Sequence, residues 1–192
     1  MRNLNRNIFL YCFIIAILFW LLPFSLVVCF TQSIENNIVK KDKTSTKTMD
    51  RIFSAISENN NEKVFILILE NNAKGCIVNI IGGATIGAGT IMNTAYNGAY
   101  SAYALVNAHK SGMSGHSILK LTLPHSFELI GFWLSGSIGF YIAWNLIQAM
   151  RGNIYSTRNF FKTIGISVFI MFLIIGAAAY VEAYISTNYL QY

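Results

Sequence analysis

Residues Ile8 to Phe30 form an unbroken apolar run without one charged side chain. A helix of that length, at ~1.5 Å per residue, crosses a hydrocarbon core of ~30 Å. A second such run, from about Thr163 to Ile185, contains a single charge, Glu182. Two features of this kind in one chain restrict the fold more than any motif. In a bilayer every backbone group must be bonded internally, which leaves helices or closed barrels. Strand-like alternation is absent from these runs, so the expected class is all-α.

Composition agrees. Hydrophobic residues make up 54% of the 192 and charged residues 11%, against about 25% charged in soluble domains. Too few charges remain to cover a globule. The net charge of +6 does not indicate a nucleic-acid face, because the basic residues sit in short clusters between apolar runs, as topology signals do. Cys12, Cys29 and Cys76 are far apart, with no CxxC pair. They suggest neither a disulfide framework nor a zinc site.

Arg2 and Arg6 precede the first run as they would in a secretory signal. A signal core spans only about 7 to 15 residues; this run is longer and no small-x-small cleavage site follows. Residues 1–30 are therefore expected to form an uncleaved signal-anchor helix, with the amino terminus in the cytoplasm. Residues 31–63 are the one long polar stretch. Lys40, Lys41, Lys43, Lys47, Arg51 and Lys63 are nearly balanced there by Glu35, Asp42, Asp50, Glu58 and Glu62, which suits an extracytoplasmic position. Ile52, Phe53 and Ile56, then Val64 to Leu67, suggest a helix at the interface; a solvated connector is the plainer alternative.

The remainder, residues 64–192, reads as one membrane domain. The weakly charged stretch Gly75 to Ala108 is too long for one span. The reading divides it at Tyr96-Asn97-Gly98 into a helix over about 73–95 and a short, incomplete or re-entrant one over about 97–109. Further spans are expected over about 121–147 and 163–185. The loop between them holds Arg151, Arg158 and Lys162 and no acidic residue, which places it in the cytoplasm. Five crossings from a cytoplasmic amino terminus also put that loop inside. The result is a polytopic transmembrane helical bundle of about five spans, with Tyr184, Tyr189 and Tyr192 in an outer aromatic belt.

The run Gly82-Gly83-Ala84-Thr85-Ile86-Gly87-Ala88-Gly89 looks superficially like a phosphate loop, yet it lacks the Lys-Ser/Thr ending. Gly83 and Gly87 instead form a GxxxG step for close helix packing, as do Gly131, Ser135 and Gly139. More informative are polar groups that hydrocarbon should exclude. His125 and Glu128, three apart, share a helix face, and Glu182 falls at a similar depth on an antiparallel span. An intramembrane carboxyl normally faces the bundle interior and a partner. The three would form a polar cluster that either holds helices together, handles protons, cations or peptide, or acts in catalysis. No HExxH motif or nucleophile with a paired base accompanies them, so neither cofactor, metal nor catalytic residue is expected.

Pro124-His125-Ser126-Phe127-Glu128 and the helix it introduces resemble the stage II sporulation protein M family of membrane proteins. Members show an asparagine before the second span, here Asn71 or Asn72, and an Asn-Gly pair after a glycine-rich helix, here Asn97-Gly98. A Pro-His-Gly-x-x-Glu-like motif opens the next helix, here Pro124, His125 and Glu128, and a late intramembrane glutamate follows, here Glu182. Ser126 stands where glycine is usual. The resemblance implies an all-helical, non-catalytic component of a larger complex in the bacterial cytoplasmic membrane. Its relatives work either in the engulfment step of sporulation or beside an ATPase in the maturation, export or immunity of secreted, bacteriocin-type peptides. The short chain favours the peptide setting. The residues alone also leave open a transporter or an intramembrane hydrolase using the His/Glu cluster. Partners are expected to be the lipid bilayer and other membrane proteins, not nucleic acid.

Overall fold

The computed structural model describes residues 2–33, 47–153 and 156–186. Most of the polar stretch 31–46, and Tyr189 and Tyr192 of the expected aromatic belt, lie outside the described residues. The described elements are α1 (Arg2–Ser33), α2 (Lys47–Ser57), α3 (Asn61–Gly82), a 3-10 turn (Gly83–Thr85), α4 (Ala88–Lys110), α5 (Gly115–Met150), α6 (Thr157–Val181) and a closing π-helical turn (Glu182–Ser186). Every one is helical, as the apolar runs require. Four segments are long and apolar enough to cross a bilayer: Asn7–Phe30, Asn61–Thr85, Ser126–Met150 and Thr157–Ile185. α4 is equally long but more polar, and it packs among them.

Contacts along α5 give every direction. Trp20 and Phe9 of α1 meet Trp133 and Tyr141, with ring centroids 5.7 and 5.6 Å apart, so α1 runs opposite to α5. Gly75 of α3 sits on Phe132 and Gly83 on Gly139, so α3 runs with α5. Gly131 faces Ile175, and Tyr141 stacks on Phe160 at 5.9 Å, so α6 runs against it. Asn79 bonds to Thr90 and Gly75 to Asn93, which makes α3 and α4 an antiparallel hairpin. Five traverses alternate in direction. One end gathers the start of α1, the 83–87 turn and the loop after Met150. The other gathers α2, the α4–α5 turn and Glu182.

The chain reverses at residues 83–87 and not at Tyr96-Asn97-Gly98, which corrects the expected division. Ile86 (φ 55°) and Gly87 (φ 86°) adopt the left-handed conformation, which ends a helix and which glycine takes without strain. Thr85 fixes the turn: its Oγ1 donates to the Gly82 carbonyl (2.7 Å) and accepts from the Gly89 amide (2.9 Å). Asn97, by contrast, lies inside α4 and donates from Nδ2 to the Asn93 carbonyl one turn back (2.8 Å). Its side chain is satisfied within the helix and interrupts nothing. α4 is consequently a complete helix, neither short nor re-entrant.

α2 forms where Ile52, Phe53 and Ile56 suggested a helix at the interface. Ala55 is buried with Val64, Leu67 and Ile68 of α3 and with Ala179 and Ala183, while Ile52 and Ile56 pack against the same cluster. Asn60 caps α3 by accepting from the Lys63 amide (3.0 Å), and Lys63 Nζ donates to Glu58 (2.9 Å). On α1 and α6 the large outward side chains are mostly Leu, Ile and Phe, including Leu18, Leu22, Phe169 and Leu173, with Tyr11 and Tyr180 near the span ends. These faces suit lipid.

Candidate functional site

The interior is organised around Asn79, which is fully buried midway between α4 and α5. Its Nδ2 donates to Ser135 Oγ (2.9 Å) and, more weakly, to the Phe132 carbonyl (3.5 Å). Its Oδ1 accepts from Asn93 Nδ2 (2.7 Å) and Thr94 Oγ1 (3.2 Å). An amide has two donors and two acceptor sites, so this one is saturated. The Asn79 carbonyl also accepts from Thr90 Oγ1 (2.8 Å). Asn93 spends its second N–H on the Gly75 carbonyl (3.0 Å), and Asn97 and Ser101 continue the chain along α4. Polar side chains in hydrocarbon are costly unless paired; here they pair with one another across three helices.

Backbone proximity makes that pairing reachable. A Cβ on Gly83 would collide with the Gly139 backbone, one on Gly139 with the Asn79 carbonyl and Thr90, and one on Gly98 with the Trp20 backbone. Gly131 admits Ile175, and Gly87 lies against Ala143 and Phe140. The four glycines singled out for packing, Gly83, Gly87, Gly131 and Gly139, therefore each meet a neighbouring helix, and so does Gly98. Gly83 and Gly87 do so from a turn, not from one continuous GxxxG face, because the helix has already ended at Gly82.

The two carboxyls lie elsewhere, at the end that holds α2. Glu128 and Glu182 are both partly buried, with Glu128 Oε1 and Glu182 Oε2 shielded from solvent. Glu128 is within electrostatic range of Cys76. The register that pairs Gly131 with Ile175 sets Glu128 opposite Ala178, four residues or about 6 Å of helix rise below Glu182. Glu182 opens the π turn, a local rewinding frequent at functional positions. Asn72, one turn before Cys76 on α3, faces the same end; its Nδ2 is buried and has no hydrogen-bond partner among the described residues.

The motif Pro124-His125 lies inside α5, which begins at Gly115 behind the cap Ser114, and so it does not open the helix as expected. It marks instead where the apolar span, starting at Ser126, succeeds about the first three turns of α5. The side chains of Pro124 and His125 lie outside the described residues; the backbone keeps His125 on the Glu128 face.

Sequence reasoning passed over Asn79, Thr90, Asn93 and Thr94. The signal was present: polar residues at 90, 93, 94, 97 and 101 recur at helical spacing in a stretch almost free of charge, the pattern of a polar stripe turned inward.

Alternating helices with lipid-facing exteriors and a hydrogen-bonded interior define a multi-pass membrane protein of the helical-bundle class. The Stage II sporulation protein M family model matches residues 7–187, nearly the whole chain, and the protein belongs to that family. No curated protein and no solved structure matches it.

Proposed function

We propose that the protein is a non-catalytic component of a larger complex in the bacterial cytoplasmic membrane. In this reading it assists the maturation, export or immunity of a secreted, bacteriocin-type peptide, with a separate ATPase supplying energy. The observation that carries the reading is the saturation of Asn79. A bundle whose central polar groups are bonded to each other is built to hold a shape and not to pass a solute through its middle. The amino terminus is assigned to the cytoplasm. The loop with Arg151, Arg158 and Lys162, which holds no acidic residue, shares one end of the bundle with Arg2 and Arg6, whereas at the other end Lys47, Arg51, Lys63, Lys110 and Lys120 are mixed with Glu58 and Glu62; the purely basic end is read as cytoplasmic.

One observation favours a second reading. Shielded carboxyl oxygens at Glu128 and Glu182, with a buried Asn72 amide in the same half of the bundle, suit proton or peptide handling at the outer end. Purifying the intact chain from its native membrane in mild detergent separates the two. Co-purification of an ATPase and further membrane proteins is expected. Recovery of cell-wall-degrading proteins instead would move the chain to sporulation. Transport or peptide cleavage by the isolated protein in liposomes would overturn the non-catalytic scaffold.

A further inference from the structure

At the middle of the bundle the outward stripe of α4 differs from those of α1 and α6, whose exposed tyrosines, Tyr11 and Tyr180, lie near the ends of their spans. Tyr96, Tyr100 and Tyr103 are 67%, 44% and 50% exposed, and Asn107 is exposed in line with them. They stand opposite the buried stripe Thr90, Thr94, Gly98 and Ala102. The tyrosines lie within about a turn of the helix midpoint, a depth fixed independently by the backbone contact of Gly98 with Trp20 in the middle of α1. Tyrosine is at home in the interfacial belts of a membrane, where its hydroxyl is wet. None of these three hydroxyls has a hydrogen-bond partner among the described residues. On a helix, moreover, side chains lean toward the amino-terminal end, which carries these hydroxyls away from the Lys110 end of α4. Against lipid they would be unsatisfied, which is unfavourable. The corresponding depths of α1 and α6 show Leu18, Leu22, Phe169 and Ile170.

Spacing and chemistry indicate what covers the stripe. Positions 96, 100, 103 and 107 follow a 4-3-4 rhythm, the seam of a left-handed helix pair with crossing near +20°. Phenol hydroxyls and the asparagine amide each both donate and accept. Such groups can bond to their own copies at the same depth across a two-fold axis along the membrane normal. An asparagine on such a seam also fixes register and stoichiometry.

We propose that this face is a self-association surface, on which a second copy of the chain docks in parallel, α4 against α4. The inference does not depend on the function proposed above. It is tested by oxidative cross-linking of the full chain in its native membrane, in a background with Cys12, Cys29 and Cys76 replaced by serine. Tyr100→Cys is expected to give a dimer at least tenfold in excess over Leu173→Cys, which faces lipid on α6. No excess, or cross-linking of Tyr100→Cys only to a different protein, overturns the proposal. Combined Tyr96→Phe, Tyr100→Phe and Tyr103→Phe substitution keeps the rings and removes the hydroxyls. Energy transfer between labelled copies, measured while liposomes are diluted with lipid, should show dissociation constants raised about tenfold; an unchanged constant overturns the hydrogen-bonded seam.

Discussion

Asn93 Nδ2 reaches Asn79 Oδ1 at 2.7 Å across the α3–α4 hairpin, and the same nitrogen also holds the Gly75 carbonyl. This amide pair is a short polar link between two membrane helices. Replacing Asn79 by leucine removes one member and leaves Asn93, Thr94 and Ser135 with buried groups to satisfy. The expected loss is about 2 to 4 kcal/mol, read as a lower unfolding midpoint in detergent. Asn93→Leu should cost less, since Asn79 would retain Ser135 and Thr94. Equal stability of Asn79→Leu and the parent chain would remove the network from the account.

The glycines separate into two groups by what surrounds them. Gly83→Ala and Gly139→Ala place a methyl against backbone and should each destabilise by ~1 to 3 kcal/mol. Gly165 and Gly176 have nothing within 4 Å of an added Cβ; alanine there should be neutral or stabilising by up to ~1 kcal/mol. Thermal unfolding of the four variants in one detergent checks the contrast, and a reversed order would mean that α3 and α5 do not meet at these positions.

Glu128 offers a test of scaffold against proton chemistry. Glu128→Gln keeps a hydrogen-bonding side chain, so a scaffold should retain assembly and function. Glu128→Leu removes it and should weaken folding or partner binding. Loss of function in the glutamine variant, with folding and assembly intact, would favour the proton or peptide reading.

Orientation is testable with single cysteines in a background without accessible thiols. Ser45→Cys is expected to react with an impermeant thiol reagent added to whole cells, and Ser156→Cys only after the membrane is opened. The opposite pattern would invert the bundle.

The spans of α1, α5 and α6 were legible from the sequence because bilayer thickness sets the length of an apolar run. The turn was not. Gly82 to Gly89 reads equally as a packing face and as a reversal, and the choice was made by Thr85, whose hydroxyl ties the turn at both ends. Asn97-Gly98 read as a break because the pair is common in turns. Within α4 the amide bonds one turn back, and the missing side chain of Gly98 lets α1 approach. Glu128 and Glu182 stood out because a charge in a hydrophobic run is visible in one dimension. Asn79 did not, since its importance comes from Ser135, 56 residues away.

The polar side chains of α4 also bear on how the chain enters the membrane. A segment with Thr90, Asn93, Thr94, Asn97 and Ser101 has little reason to leave water by itself, and it falls short of the apolarity that the four other spans reach. Its partner α3 precedes it by a turn of a few residues and carries the groups that satisfy Thr90, Asn93 and Thr94. The two helices are therefore suited to partition into lipid together, as one hairpin already stitched by Asn79 and Asn93. A ribosome-bound chain truncated within α4 would lack that stitch. In this protein the order of synthesis, α3 before α4, supplies the acceptor before the donor needs it.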